Sequence, residues 1–324
     1  MTSKIITIVG ATRTQVGGII DFLVGNPEYK LRGLTRKPAS ASAQELKAKG
    51  VEVVKADLND LNSLHAAFSG SYGVYGVTDM PGMRAELGDN DAAIAAEERQ
   101  GINIAKACLE TPGLQHFIWS TLPDSVGLSN GTFDLPNFRG KVAVDNFIRA
   151  HSELLAKTTF FFISQYASNY NYGPLAPHLI PGAGDGKGDT YVQFVTHPPD
   201  TPITTIGDVR RNIGPFVAAI LAQPEKTRGG TTVLAHVEVV PAEESLQMWA
   251  DARGVRAISI PVSAEKLTEL FGSFDFLGLM WRFWAALGDR AWGLPSGGKV
   301  VTKDDLGVTG LIGQAESFLL KMQG

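Results

Sequence analysis

The first half of the chain alternates between short runs of β-branched and aromatic residues and longer stretches whose apolar positions recur every three or four residues. The runs "KIITIV", "LRGLT", "VEVVKA", "YGVYGV" and "HFIWS" read as strands, while "SAQELKAKG", "LNSLHAAF" and "AAIAAEERQGINIAKACLE" have helical spacing. Such a series predicts βαβ units, hence a doubly wound parallel sheet with helices on both faces. Ligands of such sheets lie at the carboxyl ends of the strands, near the switch in strand order, so functional residues are expected just after each apolar run.

Beyond Thr121 the regularity breaks. "TLPDSVGLSNGTFDLPNF" is loop-like, "KVAVDNFIRAHSELL" is helical and "TTFFFI" reads as a further strand. The remainder is mixed: "PGAGDGKGD" (residues 181–189) reads as a hairpin or lid, and "PAEESLQMWADARG", "SAEKLTELFG" and the Trp-rich "FDFLGLMWRFWAALG" read as helices. The division expected is a nucleotide-binding unit over residues 1–165, its sheet completed by segments from the second half, and a smaller mixed α/β substrate lobe over residues 166–324. No internal repeat is present.

Composition narrows the function. The 324 residues are 44% apolar, with a net charge of −4 and both signs scattered, so no basic stripe argues for nucleic acid or an anionic membrane. The partner expected is a small apolar molecule, with room for a homodimer. Cys108 is the only cysteine, which excludes an intrachain disulfide and a Cys-rich metal site; it reads as a buried hydrophobe. The histidines lack metal-ligand spacing, and His116, at the start of a strand, reads as packing. The start "MTSKIITIVG" enters a strand directly, without the pattern of a signal peptide. The Trp-rich stretch is shorter than the ~20 residues of a membrane span and carries Arg282 within it, so it is expected to close a pocket or form an interface. A cytoplasmic location follows as the expectation.

The stretch "VGATRTQVGG" (residues 9–18) joins the first strand to the first helix, the place of a phosphate-cradling turn in a Rossmann-like sheet. Gly10 holds its place, whereas Arg13 and Val16 stand where further glycines are usual. Thr12, Arg13, Thr14 and Gln15 offer backbone N–H groups at a helix N-terminus, and Arg13 adds a cation for adenine or phosphate. Val16 requires the helix to sit slightly outward. The second strand ends in Arg36 and Lys37, where an enzyme selecting NAD places an acid for the ribose 2′-hydroxyl. Cations there argue for a 2′-phosphate and so for NADP(H). Asp57 and Leu58 follow the third strand, Thr78 and Asp79 the fourth, and Ser120 and Thr121 the fifth.

Together, "GATRTQVGG", "LRGLTRKP", "KGVEVVKADLND", "GVTD", "HFIWSTLP", "GKVAVDNFIRA" and "IGPFVAAIL" resemble the NmrA-like family, an atypical branch of the short-chain dehydrogenase/reductases. The family loop reads G-A-T-G-x-Q-G-G, so Gly10, Ala11, Thr12, Gln15 and Gly17 match and Arg13 and Val16 depart. The resemblance implies NADP(H) more often than NAD. It embraces redox-sensing regulators, reductases and tailoring enzymes of fungal natural-product pathways. By the same resemblance Lys141 is the family's helix lysine, Asn137 stands where the usual catalytic tyrosine would be, and Gln165, Tyr166 and Asn169 begin the nicotinamide-contacting loop.

None of the seven tyrosines is followed by a lysine four residues later, so the standard acid of these reductases is missing. Lys141, Tyr166 and Thr121 are the candidates for catalysis. "GLSNG" fits a nucleophile-elbow pattern but lacks the strand before and the helix after it. The leading expectation is an NADPH-dependent reductase of a bulky apolar carbonyl or enone compound. A non-catalytic NADP(H) sensor and a non-redox isomerase, cyclase or dehydratase are the alternatives.

Overall fold

The computed structural model describes residues 3–12, 14–181, 189–272 and 275–320. The chain runs β1 (Lys4–Ile8), α1 (Thr14–Leu23), β2 (Tyr29–Thr35), α2 (Ala41–Ala48), β3 (Glu52–Lys55), α3 (Leu61–Phe68), β4 (Gly73–Gly76), α4 (Met80–Leu87), α5 (Asn90–Glu110) and β5 (His116–Thr121). It continues through α6 (Ser125–Leu128), α7 (Pro136–Ala150), α8 (Ser152–Leu155), β6 (Thr158–Ile163), β7 (Gln165–Tyr166), β8 (His178–Ile180), β9 (Thr190–Val195) and β10 (Pro202–Gly207). The last part comprises α9 (Val209–Ala222), α10 (Pro224–Thr227), β11 (Thr231–Ala235), β12 (Glu238–Pro241), α11 (Ala242–Asp251), β13 (Arg256–Pro261), α12 (Ala264–Phe271), α13 (Asp275–Leu287), α14 (Lys303–Leu306) and α15 (Gln314–Leu320).

The main sheet has seven parallel strands in the order β11-β6-β5-β4-β1-β2-β3. This is the Rossmann-like doubly wound arrangement expected from the alternating pattern. Alternation along each strand sends Ile6, Ile8, Tyr75, Ile118 and Phe161 to the face covered by α1 and α9. Val9, Val74, Phe117, Trp119 and Phe160 go to the face covered by α3, α5 and α7. Side-chain caps set several helix starts: Asp60 accepts from the backbone of Asn62 and Ser63, Asp89 from Ala92, and Asp208 from Arg210 and Arg211. β11, from the second half of the chain, extends the sheet beside β6.

Two three-stranded sheets, β12-β10-β7 and β13-β9-β8, belong to the mixed part. The Trp-rich helix α13 buries Trp281 and Trp284 in a core with Phe138, Phe283 and Trp292. These indoles are committed to packing within the lobe. The predicted hairpin or lid lies outside the described residues except at its ends. Among the described residues no helix is long and apolar enough to cross a membrane.

The first helix shows how the altered glycine pattern is accommodated. Val16 is fully buried among Ile6, Ile8 and Ala11. The close approach that excludes a side chain falls two residues later, where a Cβ on Gly18 would lie 2.2 Å from the Arg210 carbonyl oxygen of α9. Gly214 on α9 returns the contact, its Cβ position being 2.3 Å from Phe22 Cβ. Gly17 has nothing nearer than 3.8 Å. Neighbouring glycines should therefore respond with opposite sign. Gly18→Ala is expected to lower stability by about 1–3 kcal/mol through overpacking against backbone. Gly17→Ala should raise it by up to about 1 kcal/mol through helix propensity. Urea unfolding of the two variants checks this, and equal effects would mean that the α1–α9 contact yields more easily than its geometry indicates.

Candidate functional site

The strand order reverses between β1 and β4: from β1 the chain moves outward to β2 and β3, from β4 it moves the other way to β5 and β6. The connections after these two strands diverge and leave a crevice at their carboxyl ends. A cleft of about 380 Å³ lies there, lined by Gly10 and Thr12 after β1, Arg36 and Lys37 after β2, Asp57 and Leu58 after β3, and Thr78 and Asp79 after β4. Eight of the residues singled out from the sequence thus share one cavity. Gly10 makes the turn at φ 70°, a conformation suited to glycine. Gly33 lets β2 approach the loop, since a Cβ there would be 2.8 Å from that of Ala11. Arg13 lies outside the described residues, as does the side chain of Thr14.

On the rim of the cleft, Arg36 and Lys37 are exposed and, among the described residues, have no acidic partner. Asp57 instead turns its carboxylate to Asn59, accepting from its backbone N–H at 2.9 Å. Leu58 is fixed through its carbonyl, which accepts from Asn103. The opposite wall is α4, contributing Gly82, Met83 and Glu86, with Gln100 from α5. The sequence reading missed these residues, because "MPGMRAEL" carries no periodic signal strong enough to mark it.

Further along the same edge, Gln15 is the hub of a polar cluster. Its amide donates to Tyr75 Oη at 2.5 Å and to Ser120 Oγ at 3.2 Å, and its carbonyl accepts from Tyr166 Oη at 2.9 Å. Burial pushes both tyrosine hydroxyls well above their ordinary range, so both stay protonated at neutral pH. Tyr75 was not foreseen; a tyrosine inside an apolar strand run gives no sign that its hydroxyl reaches the strand end.

Lys141 sits between cleft and cluster. Its Nζ donates to Thr78 Oγ1 at 3.0 Å and to the Ser120 carbonyl at 3.3 Å, and lies 3.4 Å from Glu97 Oε1. The ammonium also stands 5.3 Å from the Trp119 ring centroid. Thr78 passes the interaction on by donating to Glu97 Oε1 at 2.7 Å. The ammonium thus makes two hydrogen bonds and one ion pair with protein oxygens.

Thr121 is placed differently. It donates to Asp145 Oδ2 at 3.0 Å, while Trp119 Nε1 donates to Oδ1 at 2.8 Å. Its hydroxyl is therefore engaged with α7. Burial raises Asp145 to about 7, against the opposing pull of these two hydrogen bonds and of Arg149 and Lys141. Gln165 and Asn169 lie after β6, outside the cleft lining, and Gln165 Oε1 is buried without a partner among the described residues. Tyr170 turns into the lobe and shares a hydrogen bond with Ser245. Asn137 is near Met280 of α13, at 3.9 Å from its sulfur. His116 is buried against Thr159, and burial lowers its imidazole to about 3, so it packs as a neutral ring.

Fold and site together define a doubly wound α/β protein whose ligand cleft lies at the switch point of its sheet. The chain belongs to the NmrA-like family, whose model matches residues 2–275. The NmrA-like family domain-containing oxidoreductase hkm9 of Aspergillus hancockii is 28% identical over 284 residues, covering 84% of this chain and 79% of the relative. The negative transcriptional regulator NmrA in complex with NAD is similar in structure, with a TM-score of 0.73 at 20% identity over 98% of this chain and 95% of that one. Its complex with NADP gives 0.71 at 19% identity, with the same 98% and 95% coverage. The Citrobacter sp. triphenylmethane reductase complexed with NADP(H) gives 0.65 at 20% identity over 99% of both chains.

The buried Asp145 makes a pH prediction. Burial raises its carboxyl to about 7, from an ordinary value of 3.8, so the native state retains a proton that the unfolded chain releases. Its contribution to stability is complete below about pH 4 and is lost as pH rises towards 7. Asp145→Asn, which cannot ionise, should flatten this part of the profile by an amount on the order of a few kcal/mol. Unfolding free energies measured from pH 4 to 8 test it; parallel wild-type and variant curves would show that Asp145 ionises freely.

Proposed function

We propose that the protein is an NADPH-dependent reductase acting on a bulky apolar carbonyl or enone compound. The observation that carries the nucleotide assignment is the pairing of exposed, acid-free Arg36 and Lys37 with the glycine turn across one cleft. Gly10 and Thr12 flank the N-terminus of α1, where a pyrophosphate is favoured by N–H groups and the helix dipole. Arg36 supplies a planar fork for a 2′-phosphate, with Lys37 as a second charge. Thr78, Asp79, Ser120 and Lys141 then face the nicotinamide end. Bound in this way, the nucleotide supplies a hydride to the substrate's electrophilic carbon.

The chain's own task is to place a proton at the resulting oxyanion. Tyr166 is a poor source, since burial raises its hydroxyl and Gln15 takes its hydrogen. Lys141 is better placed. Of its three contacts, the Ser120 carbonyl is neutral and long at 3.3 Å, so a substrate or ribose oxygen displaces it at the least cost. Redox chemistry draws support from the oxidoreductase named among the relatives, and an apolar substrate from the triphenylmethane reductase among the structural neighbours. The Trp-rich helix gives it less, because Trp281 and Trp284 are buried in the lobe core.

A second reading, a nucleotide sensor without turnover, is favoured by the same ammonium: Lys141 Nζ already donates to Thr78 and Ser120 and is ion-paired with Glu97. NmrA, a negative transcriptional regulator, has this fold. Turnover separates the two readings, and product formed without NADPH consumption would instead mark non-redox chemistry.

Two substitutions give expected outcomes. Arg36→Ala should weaken NADPH binding by about 1.5–3 kcal/mol and leave NADH nearly unchanged, as seen by calorimetric titration. Equal losses would make Arg36 structural. Lys141→Met should leave NADPH binding within a few-fold while lowering turnover of a quinone or enone panel by about 10²–10⁴. Weakened binding with unchanged turnover would reduce Lys141 to a ribose anchor.

A further inference from the structure

Glu97 lies in the middle of α5 with no solvent exposure, on the helix face that also buries Ala93, Gly101, Ile104 and Cys108. A carboxylate there is costly unless paired. Its Oε1 accepts from Thr78 Oγ1 at 2.7 Å and lies 3.4 Å from Lys141 Nζ. Its Oε2 has no hydrogen-bond partner among the described residues. Room for that oxygen exists because residue 140 is glycine; a Cβ there would lie 2.8 Å from Oε2 and 3.1 Å from the Glu97 Cβ and Cγ. The carboxylate is thus half satisfied, and among the described residues the Lys141 ammonium is the one cation paired with it.

We infer that Glu97 is a positioning residue that pins the Lys141 ammonium at the junction of cleft and tyrosine cluster, Gly140 giving it access. The physical reason is asymmetric. Swinging Lys141 away would leave a buried carboxylate held by one hydroxyl alone, and breaking a buried pair costs far more than the pair contributes. Thr78 couples the two groups a second time, accepting from Lys141 while donating to Glu97. Ser120 O can therefore yield to a ligand oxygen while the ammonium stays in place. This role deepens the reductase reading and rests on it for its effect on rate.

The test combines a ligand-free readout with a double-mutant cycle. In protein carrying 15N-labelled lysine, the held ammonium of Lys141, assigned by its loss in Lys141→Met, should give a slowly exchanging signal that disappears in Glu97→Gln. No such signal in the wild type, or an unchanged one in Glu97→Gln, overturns the inference whether or not NADPH binds. For function, Glu97→Gln should slow single-turnover NADPH oxidation by between a few-fold and about 100-fold, with a smaller change in NADPH affinity. In the Lys141→Met background the same substitution should do nothing further, because contacting residues couple. Equal losses in both backgrounds would show that Glu97 serves only the core. Should Glu97→Gln not fold, Gly140→Ala keeps both charges and displaces the carboxylate, and a smaller loss in the same direction is expected. If wild-type protein lacks turnover while the ammonium signal behaves as stated, the reductase reading fails and the positioning of Lys141 stands.

Discussion

The reversal of strand order between β1 and β4 is the constraint on which the rest of the molecule depends. Parallel strands require crossover connections, and helices following adjacent strands that wind in opposite directions cannot cover the same stretch of edge. The opening this leaves is where Gly10, Arg36, Asp57 and Thr78 converge, although as many as 68 positions separate them in the chain. Every polar side chain at the site is held from a strand end or from a helix packed on the sheet. This suits a cleft that must align a long ligand.

Stability and chemistry compete most directly in the two polar clusters behind that opening. The Gln15 cluster is neutral: one amide satisfies two tyrosines and a serine, and burial keeps the phenols protonated. The Lys141 cluster is charged, with one buried carboxylate and one nearly buried ammonium sharing the Thr78 hydroxyl. Replacing such a pair by well-packed apolar groups is often neutral or stabilising, so its presence beside the ligand edge is better explained by what the ammonium does than by fold stability. Asp145 adds a third charge-bearing position one turn along α7 from Lys141. Burial holds it near neutrality and so limits the field it adds at the lysine.

How much of this was legible in the sequence depended on whether a residue's role was set locally. Strand ends are local, which is why Gly10, Thr12, Arg36, Lys37, Asp57, Leu58, Thr78 and Asp79 could be placed on one cavity from the alternating pattern. The membership of the NmrA-like family was likewise readable, since its motifs sit at those ends. Gly18 and Gly214 were opaque as a pair, because nothing local ties residue 18 to residue 214. Glu97 in "AAIAAEERQ" resembles a solvated charge. Its spacing from Ala93 and Gly101 marks the buried face only once the helix register is known. The Trp-rich segment was read as a helix closing a pocket or forming an interface; the helix is there, and only packing could show that Trp281 and Trp284 face the lobe's own core. Thr121 stands at the right strand end, but its hydroxyl is claimed by Asp145 from a helix.

The two proposed readings, reductase and sensor, rest on the same geometry and differ in one hydrogen bond. In both, the cleft ends at Thr78, whose hydroxyl accepts from Lys141, while the Ser120 carbonyl holds the same ammonium from β5. If a ligand oxygen takes the place of the Ser120 carbonyl, the ammonium gains a route for its proton and the site is set for catalysis. If it does not, the sensor reading requires that nucleotide binding change the contacts of Lys141 with Thr78 and Glu97. That change can pass through α5 and α7, the two helices packed together over this face of the sheet. A negative transcriptional regulator and a triphenylmethane reductase share this fold, and one cleft beside one oriented lysine is compatible with either reading. The proposed reductase thus differs from the sensor in having a substrate whose carbonyl oxygen comes within reach of the Lys141 ammonium.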